Sequence, residues 1–421
     1  MEKLLVSNFL TIKEAEFDVG RINVIIGPQA SGKSILAKLL YFFREFLSAM
    51  YLKPLIDVES GNDITKEVLL NSLFDIFKSY FPEYSWKNKD FEIVYKTDKF
   101  DISLKYRVNN SANIQIDYSD SLQTLYDELK CFLRKIQDKF KENRRQGLIV
   151  SVPVMLSLEL RKYLLKTEFG SYFRTSLFIP AGRSFFVNLQ KKIFSLLSEN
   201  IAIDPFLISF GSQYESAMSL YKIDSDITDK QIADKINRLV RAILVGEYKH
   251  EDGRDWIINN DTKIELSNAS SGQQESLPML LIMSGQHFIS SESTTFFIEE
   301  PEAHLFPVSQ KHIMSLISLL YYRFNHDFVI TTHSPYILTA MNNLILAHDV
   351  STKLGQDKLP ATVDPDCMIK YEDVRAYTID NGKLVNIKDD ELRLIGVNVI
   401  DSVSDDFASE FDELLSLLGD E

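Results

Sequence analysis

Eight residues, Gly27-Pro28-Gln29-Ala30-Ser31-Gly32-Lys33-Ser34, constrain this chain more than any others. A glycine, four variable residues and then Gly-Lys-Ser is the pattern of a loop that turns successive backbone N–H groups toward phosphate oxygens. The flanks agree with it. Ile22-Asn23-Val24-Ile25-Ile26 reads as a buried strand, and from Ser34 to about Tyr51 apolar residues recur at helical spacing, from Ile35, Leu36, Leu39 and Leu40 to Phe46, Leu47 and Met50. The helix N-terminus adds its positive dipole end to the loop. In this setting Gly27, Gln29, Ala30, Ser31 and Gly32 surround the phosphates, with Gly32 allowing close backbone approach. Lys33 reaches the β- and γ-phosphates, and the Ser34 hydroxyl ligates Mg²⁺. The expectation is an α/β nucleotide-binding chain.

A length of 421 residues allows two or three domains around a substantial core. The net charge of −14 argues against a surface that coats nucleic acid unaided, since that affinity comes largely from neutralised phosphates. Cys131 and Cys367 are too far apart for a disulfide framework or a zinc site and read as core thiols in a reducing compartment. There is no signal-peptide pattern at Met1-Glu2-Lys3-Leu4-Leu5-Val6 and no apolar run of about 18 residues, so the expected location is cytoplasmic.

Taken in order, residues 1–52 form the N-terminal part of the nucleotide domain, with Leu4-Leu5-Val6 and Ala15-Glu16-Phe17 as two edge strands. Residues 53–174 read as an inserted α+β subdomain: a helix over 67–77, an antiparallel meander over 91–95, 100–106 and 112–118, and a long amphipathic helix over about 121–143. One side of that helix is rich in bases, including Lys130, Arg134, Lys135 and Lys139. With acids interleaved it is first a solvated face, and second a contact for nucleic acid or an acidic partner. Residues 175–400 return to the nucleotide domain, through helices up to Val245 and a hairpin over 256–266, and 401–421 close the chain with an acidic helix.

Three further stretches fit the phosphate loop. Thr295-Phe296-Phe297-Ile298-Glu299-Glu300 is an apolar strand ending in two carboxylates, which we assign by chain order to Mg²⁺ (Glu299) and to the general base (Glu300). Phe328-Val329-Ile330-Thr331-Thr332-His333 is a second buried strand, whose histidine can bond the γ-phosphate or orient water. Ser270, Ser271, Gly272 and Gln273 open a helix and offer N–H and hydroxyl donors to a phosphate. Arg183 leaves a strand end at Ser176–Ser184, where ligands of open α/β sheets gather; it reads equally as a phosphate or subunit contact and as a surface arginine. His304 and His312 lack the spacing of a metal site.

Together these motifs resemble an ABC-type ATPase head of the SMC and RecF-like group, and within it the ATPases related to overcoming-lysogenization-defect (OLD) proteins of bacterial anti-phage systems. The resemblance covers about residues 1–50 and 170–345. Gly27–Ser34 match the Walker A motif, Ala269–Gln273 the signature, Glu299 and Glu300 the Walker B end, Pro301–Pro307 the D-loop and His333 the switch histidine. Gln29 and Ala30 replace the more frequent Asn and Gly, Glu299 a frequent Asp, and Phe306 a residue usually polar. The resemblance implies a P-loop NTPase fold, with a mixed central sheet, an antiparallel β subdomain and a helical insertion. It implies ATP and Mg²⁺ as ligands. It also implies a homodimer or higher homo-oligomer, in which each signature motif acts on ATP held by the other copy, so that ATP favours closure and hydrolysis releases it.

The stretch beyond His333 is too short for the TOPRIM nuclease domain of OLD proteins, and neither an HNH-type pattern nor a long heptad coiled coil is present. A separate effector protein, a nuclease or toxin, is therefore the expected partner. Val403 to Leu418 reads as an acidic amphipathic helix, with Phe407, Phe411, Leu414, Leu415 and Leu418 on one side. The leading reading is an ATP-hydrolysing sensor or scaffold in a defence complex. One alternative is a DNA-maintenance ATPase of RecF type binding DNA directly, and another is an assembly protein for which ATP is only structural. No membrane role is expected.

Overall fold

The computed structural model describes residues 2–56, 66–108, 114–144, 152–189, 203–221, 230–260, 262–289, 293–396, 408–411 and 414. The fold is α/β, built on one mixed sheet of eleven strands. Its parallel half consists of β3 (Ile22–Ile26), β7 (Thr175–Ile179), β11 (Thr294–Glu299), β12 (Asp327–Thr332) and β13 (Val374–Asp380), in the order β13-β3-β12-β11-β7. Its central strands β3, β11 and β12 are buried along their whole length because both faces are covered. Along β11, β12 and β3 the alternate residues Phe297, Val329 and Ile25 enter one core, and Phe296, Ile298, Phe328, Ile330, Ile22, Val24 and Ile26 the other.

The first core lies under α1 (Lys33–Ile56), α2 (Lys66–Tyr80), α3 (Asp120–Arg144) and α4 (Val152–Leu164). The second lies under α6 (Pro205–Tyr221), α7 (Lys230–Leu244), α8 (Ser271–Ile289), α9 (Pro307–Phe324) and α10 (Pro335–Leu354), with the short α5 (Ser184–Leu189) packed against α8. The first core is rich in aromatic rings: Phe9 meets Phe77, Phe81 and Phe91 at centroid separations of 5.8, 5.3 and 4.9 Å. Such contacts bind α2 to the sheet with more than area burial alone.

The antiparallel half runs β6-β5-β4-β1-β2, from β1 (Glu2–Phe9) and β2 (Ile12–Val19) to β4 (Phe91–Thr97), β5 (Asp101–Tyr106) and β6 (Gln115–Tyr118). Two expectations change here. β1 and β2 are interior strands, not edges: β1 pairs with β4 from Glu2↔Thr97 to Ser7↔Glu92, and β2 meets β14 (Lys383–Asn386) at Lys383↔Glu14. Consequently the strands of the 53–174 insertion extend the nucleotide domain's own sheet. Phe91, Ile93 and Tyr95 continue the buried row of Leu4 and Val6 into one core, which leaves no boundary at which a separate subdomain would close its own. β13, which pairs antiparallel with β14 and parallel with β3, joins the two halves.

Three smaller observations complete the picture. The hairpin over 256–266 belongs to a three-stranded sheet, β8 (Glu247–Glu251), β9 (Arg254–Asn259) and β10 (Thr262–Glu265). Cys367 is buried as expected, but Cys131 is exposed, because α3 buries Leu122, Leu125, Tyr126, Leu129 and Leu133 and turns Cys131 outward. The acidic helix expected over 403–418 lies mostly outside the described residues; of it, residues 408–411 are helical, and Phe411 and Leu414 are exposed.

Candidate active site

Parallel strands β3, β11 and β12 end at the same level, so the loop after Ile26, the acids after Ile298 and the histidine after Thr332 emerge side by side. The phosphate loop holds its shape through two left-handed residues, Ala30 (φ 58°) and Gly32 (φ 110°). Gly32 is required by packing as well. A Cβ there would lie 2.5 Å from Ile12 Cδ1 and 2.8 Å from Thr11 Oγ1, in the turn between β1 and β2. Its carbonyl accepts from Ile35 N and Leu36 N and starts α1. Gln29 and Ala30 are exposed, and Ser31 and Ser34 are half-buried.

Lys33 is 5% exposed and uses all three of its hydrogens. Nζ donates to Gly27 O at 2.8 Å and Pro28 O at 2.7 Å, and lies 3.4 Å from His333 Nδ1. An ammonium only donates, so Nδ1 accepts and Nε2 carries the imidazole proton, which points to Glu300 Oε1 at 3.2 Å. One chain of contacts thus runs from the phosphate loop through His333 to Glu300. Burial lowers the Lys33 pKa, and the neighbouring Glu300 and Glu302 carboxylates act against that shift.

The two strand-end acids occupy different environments. Glu299 is the last residue of β11 and 6% exposed; its Oε2 accepts from Ala181 N at 3.2 Å, while its Oε1 is buried without a partner. Glu300 turns away from the strand in a left-handed conformation (φ 45°), with its N–H held by Thr331 O at 2.9 Å and its carboxylate partly exposed beside His333. Left-handed backbone at a non-glycine residue is costly and recurs at functional sites.

Glu302 escaped the sequence reading as a site residue, although it is the third acid of Glu299-Glu300-Pro301-Glu302. Its Oε1 accepts from Thr332 Oγ1 at 2.6 Å and from His333 N at 2.7 Å, which fixes the backbone carrying the histidine. Its Oε2 is buried without a partner.

Arg183 was read equally as a phosphate or subunit contact and as a surface arginine, and its burial corrects both. It is fully buried beneath the acids. Its guanidinium donates to Glu275 O (2.9 Å), Pro180 O (3.2 Å), Glu299 O (2.7 Å) and Glu300 O (3.0 Å), and its N–H donates to Glu275 Oε2 at 2.8 Å. Four of its five side-chain N–H groups are taken by backbone carbonyls, and the fully buried guanidinium faces these rather than a phosphate. Burial lowers its pKa against the raising effect of Glu275, Glu302, Glu299 and Glu300. The residue ties the strand end bearing Glu299 and Glu300 to α8.

Ser270–Gln273 stand outside the hydrogen-bonded chain of Lys33, His333 and Glu300. They form a helix cap: Ser270 N and Oγ donate to Gln273 Oε1 at 3.1 and 3.0 Å, and Gln273 N returns to Ser270 Oγ at 3.3 Å. Gln273 Nε2 also donates to Leu244 O at 2.8 Å. Ser270 and Ser271 are exposed, while a Cβ at Gly272 would sit 2.6 Å from His304 O, so the cap presses on the loop after Glu302.

The residues fit a nucleotide with a divalent cation. Among the described residues, Glu299, Glu300, Glu302 and Glu275 act on the two buried cations Lys33 and Arg183, an excess of carboxylates that a hard dication would balance. Buried polar atoms normally have partners, yet Glu299 Oε1 and Ser31 Oγ have none among the described residues. Among the described residues no group of three or more His, Cys, Asp and Glu is arranged to hold a metal ion by itself, and no helix is long and apolar enough to cross a membrane.

Among solved structures, the chain is similar to the SMC head domain from Thermotoga maritima, at 13% identity over 92% of this chain and 98% of that one, with a TM-score of 0.37. The Smc head domain from Pyrococcus furiosus bound to the C-terminal domain of ScpA matches at 12% identity, with coverages of 92% and 96% and a TM-score of 0.38. The recombination mediator protein RecF matches at 11% identity, 91% and 97% coverage and a TM-score of 0.32. No curated protein matches the chain. Residues 1–338 match the model of the AAA ATPase domain, so that the chain, with its phosphate loop between β3 and α1, belongs to this P-loop ATPase family.

Proposed function

We propose that the chain is an ATPase of the SMC and RecF-like group, which binds Mg²⁺-ATP between two copies of itself and uses hydrolysis to part them. The observation carrying this reading is the contact chain Lys33–His333–Glu300 beside the unpartnered Glu299 Oε1. Lys33 exchanges the carbonyls of Gly27 and Pro28, which its Nζ bonds at 2.8 and 2.7 Å, for the β- and γ-phosphate oxygens. Ser34 and Glu299 would hold Mg²⁺, which would neutralise phosphate charge. The oxygen of water attacks the γ-phosphorus, the bond to the β–γ bridging oxygen breaks with its electron pair going to ADP, and Glu300 takes the water's proton. His333 Nε2–H, already directed at Glu300, orients that carboxylate or the phosphoryl group.

The second copy enters through Ser270–Gln273. Ser270 and Ser271 are exposed and lie outside their own chain's cluster, which supports action across an interface. Phe306, Val308 and Tyr336, at the starts of α9 and α10, are 75%, 58% and 54% exposed and suit apolar contacts in the same interface. The OLD-like reading gives this switch its purpose, the control of a separately encoded effector, nuclease or toxin, in anti-phage defence.

Light scattering on Glu300→Gln with and without Mg²⁺-ATP tests the proposal. The expected result is a mass that doubles with nucleotide and falls back when it is removed. Binding of ATP at unchanged mass would confine the site to one chain and remove the two-copy mechanism.

A further inference from the structure

Away from the nucleotide site, α7, α9, α10 and the segment 359–367 enclose a groove of about 600 Å³. Its wall is apolar and only partly covered: Leu239, Leu344, Val350, Leu359 and Val363 are half-buried, and Leu346 at its border is 56% exposed. Two exposed cations, Arg238 and Lys311, stand on its rim, and no ion pair is made by either among the described residues. A third, Lys235, is already held by Asp364 at 2.7 Å and by Asp366. A concave apolar wall with a basic rim suits an apolar ridge flanked by carboxylates.

The same chain carries such a ridge. Phe407, Phe411, Leu414, Leu415 and Leu418 recur at the spacing of one helix face, and residues 401–421 hold eight carboxylates and no lysine or arginine. Where this stretch is described it is helical at 408–411, and Phe411 and Leu414 are 62% and 56% exposed, so both surfaces lack cover. The chain also departs at the right place. β16 (Leu394–Ile395) is fastened to α10 by two bonds of 2.9 Å between Ile395 and Asn342, and Gly396 packs on Leu338. Asn343 and Leu344, the residues after Asn342, line the groove. Residues 397–402, extended, span about 20 Å, which exceeds the roughly 10 Å width of a helix they must pass.

We infer that the acidic segment 403–418 docks in this groove of its own chain, with its apolar face against Leu344, Val350 and Val363 and its carboxylates toward Arg238 and Lys311. This contact is independent of the nucleotide chemistry. It nevertheless rests on α9 and α10, the helices that begin beside Glu302 and His333, so an occupied groove braces both.

Amide hydrogen exchange of the full chain, without nucleotide, tests the assignment. Residues 407–418 should be protected, and Arg238→Glu with Lys311→Glu should lower that protection about tenfold, two opposed ion contacts at a half-buried interface being worth roughly this much. Both positions are exposed, so an unchanged Tm will show that the fold is intact. Adding Asp412→Lys and Glu413→Lys should restore the protection. Exchange of 407–418 at the rate of free peptide in the unsubstituted chain would overturn the inference. So would protection indifferent both to the charge reversal and to Leu344→Asp, and so would protection that grows with protein concentration, which would assign the segment to a second copy.

Discussion

Three carboxylates within four residues do three different things because their backbones differ. Glu299 ends a strand and points into the protein, Glu300 adopts a left-handed turn that brings it to His333, and Glu302 grips the histidine's own N–H. Each should fail in its own way. Glu300→Gln keeps the shape and the hydrogen bond but cannot accept a proton, so turnover should fall by about 10²–10⁴ with ATP affinity nearly unchanged, as equilibrium binding and single-turnover assays can check. Glu302→Gln should weaken the hold on His333 and lower turnover by less. Gly32→Ala puts a methyl against Ile12 and forces φ 110° on a residue that resists it; it should cost about 1–3 kcal/mol in a denaturation series even without nucleotide. The two thiols should also part company. Burial raises the Cys367 pKa from 9.0 to about 12, so it stays a protonated thiol up to that range, whereas Cys131 is exposed. A thiol reagent at pH 8 should count one fast cysteine in the native chain and two in denaturant.

At the scale of elements, the coupling of α8 to the strand end depends on one buried ion pair. Arg183 spans β7, α8 and the carbonyls of both strand-end acids, and Glu275 is held from its other side by Ser184 Oγ at 2.5 Å. Removing one member leaves the other charge buried, so Arg183→Met should cost about 3–5 kcal/mol. Arg183→Lys keeps the charge but loses the planar fork, and should lower turnover more than stability. If both variants keep full ATPase activity, the link between α8 and the acids carries no catalytic information. Arg183 also marks the limit of what the sequence discloses. A strand ending in Pro-Ala-Gly-Arg announces a residue at the rim of a sheet, but nothing local tells whether the arginine looks up to a ligand or down into backbone carbonyls contributed from residues 275, 299 and 300. The phosphate loop and strands β3, β11 and β12 were legible because their signals are contiguous: an apolar run, a turn and a charged end. β1 and β2 were legible as strands but not as interior ones, since their neighbours β4 and β14 come from distant parts of the chain. Glu302 was hidden by its own neighbours, a third acid where two already had roles.

At the scale of the molecule, the insertion, the nucleotide strands and the late hairpin share one sheet and two cores, so events at the nucleotide have a stiff path to β6 at one edge and β7 at the other. A homodimer closed on ATP would therefore present a rigid outline. Small-angle scattering of the Glu300→Gln dimer should fit two unaltered copies, whereas hinge motion within a copy would show as a changed profile at unchanged mass. The hairpin β13–β14 has its own bearing on how such a chain is made. It alone bonds β3 to the strands of the antiparallel half, yet it is encoded at residues 374–386. A ribosome therefore finishes the Walker loop early and must synthesise almost everything else before the strand beside it exists. Until then β3 has an unpaired edge, and the nascent chain is exposed to mispairing or capture by chaperones. ATP binding should consequently appear as a late and abrupt event in translation, and ribosome-stalled chains released before residue 386 should be unable to retain nucleotide.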